Sequence, residues 1–298
     1  MPSWSEFEPF IVSGLALGGV YALSGVGLVV LYRATGVLYL AFGAVGAMGA
    51  LLAWQVQQDG WPGWASWILC ILFGALVTLL YGVIFGPALA GRPPVVRAVA
   101  TLGLLLILLG AMEVIWTVSG GAVRSLSLPT DNGGFSLGNI QVDWTQVISL
   151  ALGLVITVGT GAFLRFTKLG TAMRAMANDR EITATLGVPV RRVEAAAWFG
   201  CGVLAGAAGL LLADQVQLDA ATLTFLVISS LAAALIGRLQ SITVTFVAAL
   251  VVGLVHDLLT PINALTNYRD MTPFVLAAIA LLWVTRHRQV MTRSGEEA

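Results

Sequence analysis

His256 and Asp257 are neighbours whose types suit acid–base chemistry, an imidazole to pass a proton and a carboxylate beside it. No nucleophile accompanies them. A serine hydrolase in this setting requires a Gly-x-Ser-Gly elbow, and Ser13, Ser24 and Ser119 precede glycine without the leading one. The pair therefore reads as interfacial and solvated. His287 is the only other histidine, which leaves no cluster to hold a metal. Phosphate chemistry is also missing, because a P-loop needs Gly-Lys-Ser/Thr and the only lysine, Lys168, is followed by Leu169. Ion-driven pumps keep ionisable residues at mid-membrane depth as relays. Here Glu113 and Asp257 fall toward the ends of apolar runs, and Glu194 opens one beside Arg191 and Arg192. An enzyme and an ion-coupled pump are both excluded as expectations. The chain is expected to move something, with no cofactor of its own and with energy supplied from elsewhere.

The elements that position these residues are apolar almost throughout. Hydrophobic residues make up 58% of the 298 and charged residues 10%, with mean hydropathy +0.92. Soluble domains carry about 25% charge, so this is a membrane chain. A helix needs roughly 20 apolar residues to span the hydrocarbon. Such runs lie near 10–32, 37–57, 65–90, 98–118, 144–164, 193–213, 221–237, 242–259 and 271–285. The expected fold is all-α: a polytopic transmembrane helix bundle of about nine spans, eight to ten, forming one domain over 1–298. The N-terminal MPSWSEFEPF has Glu6, Glu8 and no basic residue, unlike a secretory signal. Its span is expected to stay. Cys70 and Cys201 sit inside apolar runs and are not expected to pair. Zero net charge argues against nucleic acid as a partner.

With the N-terminus outside and alternating spans, thirteen of the fifteen basic residues fall inside, and only Arg124 and Arg269 outside. That bias follows the positive-inside rule and puts the C-terminus in the cytoplasm. Outer loops collect Asp59, Asp131, Asp143, Asp214, Asp219 and Asp270, and Trp61 to Trp64 read as an outer interfacial anchor.

Thirty-four glycines in such a chain need a reason, since each costs roughly 1 kcal/mol against alanine in a helix. In lipid, small residues let backbones approach closely. Gly14, Gly18 and Ala22 recur every four residues, as do Gly202 and Gly206 with Ala205 and Gly209 beside them. Glycines dense in the first two spans also suit an interrupted helix near a substrate path. The lining candidates there are Tyr21, Ser24, Tyr39 and Phe42, with Thr101, Ser229 and Ser230 as weaker ones. Ordinary helix contact is the competing reading for each.

The one long polar stretch, 165–192, holds six of the basic residues between apolar flanks. Asn178 followed by Glu181 is spaced as a capping box, and Gly187 with Pro189 supplies a stop. A helix over Asp179–Leu186 is expected, with a further turn or two over Thr171–Ala177 showing Met173, Met176 and Ala177 on one face. Two turns are marginal alone in water, so this helix must rest on something. That is either lipid headgroups or a groove in a cytoplasmic partner.

Three segments carry a family resemblance: GLALGGVYALSGVGLVVLYRATGVL at 14–38, GRPPVVRAVATLG at 91–103, and LGTAMRAMANDREITATLGVPVRRV at 169–193. The chain resembles the permease subunits of branched-chain amino-acid ABC importers over most of its length. The third segment, with its MRA-A-(N/E)D and LG(V/I) landmarks, is similar to the family's coupling helix, which touches the ATP-binding subunits. The resemblance implies coupling residues Arg174, Ala177, Asp179, Glu181, Leu186 and Gly187. It also implies a second permease subunit, homologous or identical, two cytoplasmic ATP-binding subunits that bind the ATP, an extracytoplasmic substrate-binding protein, and a plasma (inner) membrane location. The outer loop 119–143 would help receive the binding protein. Two departures stand out. The family's Asn-Phe-Ala-His-Gly-Glu-like run is here Tyr39-Leu-Ala-Phe-Gly-Ala44, and its Gly-Gly-x-Gly-Ser turn is Gly237-Arg-Leu-Gln-Ser241. Coupling is thus better supported than the identity of the solute. The rival readings are a passive channel or facilitator for a small solute, and a membrane scaffold that transports nothing.

Overall fold

The computed structural model describes residues 4–116, 126, 133–137, 140–216, 218–261, 271–280 and 282. Helix α1 (Trp4–Thr35) is the axis of the bundle and packs against α5 (Trp144–Phe166), α8 (Val190–Gln215), α9 (Ala220–Ile236) and α10 (Ile242–Leu258). It is apolar on every side, as a helix buried on every side must be. Helix α2 (Phe42–Gln58) lies among α3 (Gly63–Leu89), α8 and α9, while α4 (Pro94–Trp116) sits further out. The exposed large side chains of α3, α4 and α5 are almost all apolar, among them Leu76, Leu106 and Val155, which is what a lipid-facing surface requires. Five helices (α1, α3, α4, α5 and α8) are long and apolar enough to cross a membrane. Helices α2, α9 and α10 have 17 residues each, about 26 Å at 1.5 Å per residue. A last helical stretch covers 272–280. The remainder of the span expected at 271–285, the C-terminal tail and most of the loop 119–143 lie outside the described residues.

Glycine sets the helix spacing. A methyl group placed on Gly18 of α1 would stand 2.8 Å from the Leu250 Cα of α10, and one on Gly19 would stand 2.7 Å from the Leu150 Cα of α5. On α2, a methyl on Gly46 would stand 2.7 Å from the Ala205 carbonyl oxygen. Gly74 of α3 lies against Gly202 and Gly206 of α8, and Gly209 of α8 lies against Gly46 of α2. Four helix crossings therefore run backbone on backbone, α1–α10, α1–α5, α2–α8 and α3–α8.

Three local features differ from the sequence reading. The span expected at 37–57 becomes helical only at Phe42, and residues 36–41 are irregular although Val37, Tyr39 and Ala41 are buried. Irregular backbone at such depth survives only when its polar groups are satisfied within the protein. Thr101 of α4 does this, its hydroxyl accepting from the Leu40 N–H (3.2 Å) and lying 2.9 Å from the Leu38 carbonyl. Second, the loop before α5 contains an antiparallel hairpin, β1 (Gly134–Leu137) with β2 (Ile140–Asp143), Gly134 facing Asp143. The all-α expectation did not include it. Third, His256 is buried on α10 rather than solvated.

The turn between α9 and α10 is tight although only Gly237 of the expected glycines is present. Arg238 (φ 56°) and Leu239 (φ 53°) occupy the left-handed region, at roughly 1–2 kcal/mol each. Gly237 cannot bear a side chain, since its Cβ would collide with the Thr245 hydroxyl. Arg33 of α1 reaches over to donate to the Gln240 carbonyl at 3.3 Å.

Three outcomes are expected in detergent-solubilised protein. Gly209→Ala should lower the melting temperature and the monodisperse yield, overpacking of a close contact costing about 1–3 kcal/mol. Gly161→Ala, with open space around its Cβ, should match or slightly exceed the parent. Arg238→Gly should raise the melting temperature by relieving a left-handed non-glycine residue. A thermal scan monitored by size-exclusion chromatography reads all three.

Candidate translocation and coupling sites

Tyr21, Ser24, Tyr39 and Phe42 are all fully or nearly fully buried, yet they do not form one lining. Ser24 and Phe42 share a small void at the centre of the bundle, walled by Gly43 and Gly46 of α2, Gly209 of α8 and Leu223 of α9. The void admits about 10 Å³ of solvent, room for no more than one water. The Ser24 hydroxyl is spent on the Val20 carbonyl at 3.0 Å. Tyr21 does not line this void. This void is too small for a solute in this conformation.

Tyr39 belongs elsewhere. It packs edge-on against Trp198 of α8 at 5.2 Å and lies 6.2 Å from Tyr81 of α3, with its hydroxyl 3.4 Å from that of Thr78. The Trp198 ring lies directly over Gly82, where any Cβ would collide with it. Beside this aromatic group, a recess opens at the end of the bundle that gathers arginines. Its walls come from the end of α1 (Thr35), the broken segment after it (Val37), the C-terminal part of α3 (Tyr81, Leu89), Arg97 of α4, and Arg180 and Glu194. Arg97 donates to the Thr35 carbonyl at 3.1 Å. Sequence reading missed Arg97, Tyr81, Glu194 and Trp198 as a group. The one local signal was the four-residue step from Glu194 to Trp198, which puts both on one helix face.

The polar stretch 165–192 folds into two helices. Helix α6 (Lys168–Asn178) is capped by the Thr167 hydroxyl, which accepts from the Gly170 N–H at 3.0 Å. Met173 and Met176 turn into the core, whereas Ala177 is exposed. Arg174 reaches back to the Arg165 carbonyl at 3.4 Å. Helix α7 (Arg180–Thr185) starts one residue later than the sequence suggested. Asp179, in extended conformation, is its N-cap and accepts from the Ile182 N–H at 2.9 Å. Asn178 is the last residue of α6 and does not cap, so the expected Asn178–Glu181 capping box gives way to Asp179. Glu181 is an exposed acid in the first turn of α7, where the helix dipole favours it.

Gly187 ends the unit at φ +83°. Nothing lies within 4 Å of the place a methyl group would take on it, so the backbone angle alone calls for glycine there. Thr183 fixes the inner side, buried and bonded to the Asp179 carbonyl. The outer side carries two apolar residues four apart: Ile182 is 59% exposed and Leu186 78%. A fork from Arg180 onto Glu194 Oε1, at 2.9 Å from Nε and 2.8 Å from the terminal nitrogen, ties α7 to α8.

The chain matches a known family along most of its length. A family model described as "Branched-chain amino acid transport system / permease component" matches residues 10–284. A protein of Methanocaldococcus jannaschii named "Probable branched-chain amino acid transport permease protein LivH" is 30% identical over 63% of this chain and 60% of its own length. The chain thus spans about three fifths of that relative. The "High-affinity branched-chain amino acid transport system permease protein BraD" of Pseudomonas aeruginosa is 24% identical over 95% of both chains. The LivH permease protein of Escherichia coli is 25% identical over 53% of this chain and 54% of its own. With five helices able to cross a bilayer, the chain is a multi-pass protein of the inner membrane, and it belongs to the family of branched-chain amino acid transport system permease components.

Proposed function

We propose that this chain is the translocation subunit of an ABC importer for branched-chain amino acids or related small polar metabolites. It crosses the membrane about nine times (eight to ten), with its N-terminus outside and its C-terminus in the cytoplasm, and works by alternating access. A second permease subunit stands beside it, an extracytoplasmic binding protein delivers the solute, and two cytoplasmic subunits bind and hydrolyse the ATP. The names of the relatives support the solute class. One observation carries the coupling reading: Ile182 and Leu186 project from a capped helix at the arginine-rich end. Apolar side chains presented by an otherwise polar loop mark a contact surface. The arginines beside them, Arg33, Arg97, Arg165, Arg174 and Arg180, suit the cytoplasmic face.

Roles for the six coupling residues follow from their positions. Leu186 supplies the apolar contact, and Glu181 the charge on the same exposed helix. Asp179 starts the helix and Gly187 stops it. Arg174 anchors α6 to the end of α5, and exposed Ala177 leaves room for a partner to approach. The Arg180–Glu194 fork passes motion of α7 into α8, on which Trp198 closes over the aromatic group.

Gly187→Val should cut ATP-driven uptake severalfold, because a β-branched residue at φ +83° costs more than the roughly 1–2 kcal/mol of an ordinary one. Membrane insertion, checked by quantitative blotting, should not change, and normal uptake would argue against a coupling role. Leu186→Asp should weaken co-purification of the ATP-binding subunits in mild detergent and lower solute-stimulated ATPase activity. Retention of both would point to lipid as the surface under α7.

A further inference from the structure

The recess beside Trp198 has hydrogen-bonding capacity that the protein leaves unfilled. Tyr81 is 7% exposed, and its hydroxyl, shut off from solvent, has no hydrogen-bond partner. The Nε of Arg97 is likewise buried and unpartnered, its neighbouring nitrogen being held by the Thr35 carbonyl. Both residues line the same recess. A buried donor left unsatisfied keeps its full desolvation penalty, and two donors on one recess call for an oxygen acceptor. The recess holds two guanidinium groups, Arg97 and Arg180, against one carboxylate, Glu194. One positive charge is therefore left over to attract a solute's carboxylate, which a zwitterionic amino acid also presents. The remaining wall is apolar, with Val37, Leu89 and Trp198, and the recess opens at the break in the backbone after α1. Interrupted helices are where transporters build solute sites.

We propose that this recess is an exit-side binding site for a small carboxylate-bearing solute with a short aliphatic portion. Tyr81 and Arg97 hold the carboxylate, while Val37, Leu89 and Trp198 receive the aliphatic end. The inference deepens the permease reading above and rests on it. In the present conformation the site is shut. Its free volume is about 20 Å³, enough for roughly one water. Arg180 and Glu194 form part of the wall, so the site enlarges when α7 moves and their fork separates. A lever motion at α7 thereby exposes the carboxylate site on the side where solute leaves. A lipid phosphate presents the same oxygens, and the test separates the two sources.

The full-length chain, purified in maltoside detergent, is titrated with radiolabelled L-leucine by equilibrium dialysis. Isovalerate, which keeps the carboxylate, should compete, and isopentylamine, which lacks it, should not. Tyr81→Phe, which removes only the hydroxyl, should weaken L-leucine binding about tenfold or more. Arg97→Lys should do the same, and Glu194→Gln should strengthen binding by freeing Arg180. Unchanged binding in Tyr81→Phe, with the protein still monodisperse, would mean that the recess holds only water and would overturn the proposal. Loss of phosphatidylglycerol from Tyr81→Phe in native mass spectrometry, with L-leucine binding intact, would assign the oxyanion to lipid and overturn it too. If only the site is wrong, wild-type ATP-driven uptake stands; if the permease reading is wrong, that uptake is absent in the wild type itself.

Discussion

Backbone contact through glycine is the constraint on which this bundle depends. Lipid tails are as apolar as leucine, so burying hydrophobic surface does little to hold one helix to another within a bilayer. What remains is close approach, and here it is reached at Gly18 and Gly19 of α1, Gly46 of α2, Gly74 of α3, and Gly202 and Gly209 of α8. Those contacts leave the bundle centre only water-sized space around Ser24 and Phe42. For the proposed permease role, opening a path there requires helices to slide or tilt along these glycine seams.

That requirement gives the arginine-rich end its meaning. Helix α7 is six residues long, too short to persist alone, and is held by the Asp179 cap, the buried Thr183 and the Arg180–Glu194 fork. Through the fork it bears on α8, and α8 carries both the Trp198 ring and the glycine seams to α2 and α3. In the proposed role, force applied to α7 thus reaches a helix joined backbone on backbone to α2 and α3. The broken segment 36–41, braced by Thr101 of α4, joins α1 to α2 and sets Tyr39 against Trp198 of α8.

Much of this was legible from residue types. The glycine rows at 14–18 and 202–209 announced close packing, and the stop at Gly187 fell where the left-handed backbone needs it. Their partners were not legible, because spacing shows which face of a helix is thin but not which face it meets. Gly46, Gly74 and Gly153 acquire meaning only across the bundle. The break before Phe42 was hidden because 37–57 reads as one apolar run, and the compensating hydroxyl is about sixty residues away on Thr101. The start of α7 was misplaced by one residue for a clear reason. Asn178 and Asp179 both favour a cap, and the distance to Glu181 favours the first, but α6 continues through Asn178 and leaves only Asp179 extended. The recess was likewise invisible, since Tyr81, Arg97 and Glu194 come from three separate helices.

The central claim is that α7 is an inward-facing lever seated on a cytoplasmic partner. Both native cysteines are buried and thus poorly reactive, so a thiol introduced by Leu186→Cys reports on that surface alone. Treating cells with a membrane-impermeant maleimide, and inside-out vesicles with a cysteine-directed crosslinker, measures its side and its neighbour together. The account predicts no labelling of intact cells and a crosslinked product containing an ATP-binding subunit in the vesicles. Labelling of intact cells, or a thiol that couples to lipid alone, would contradict it.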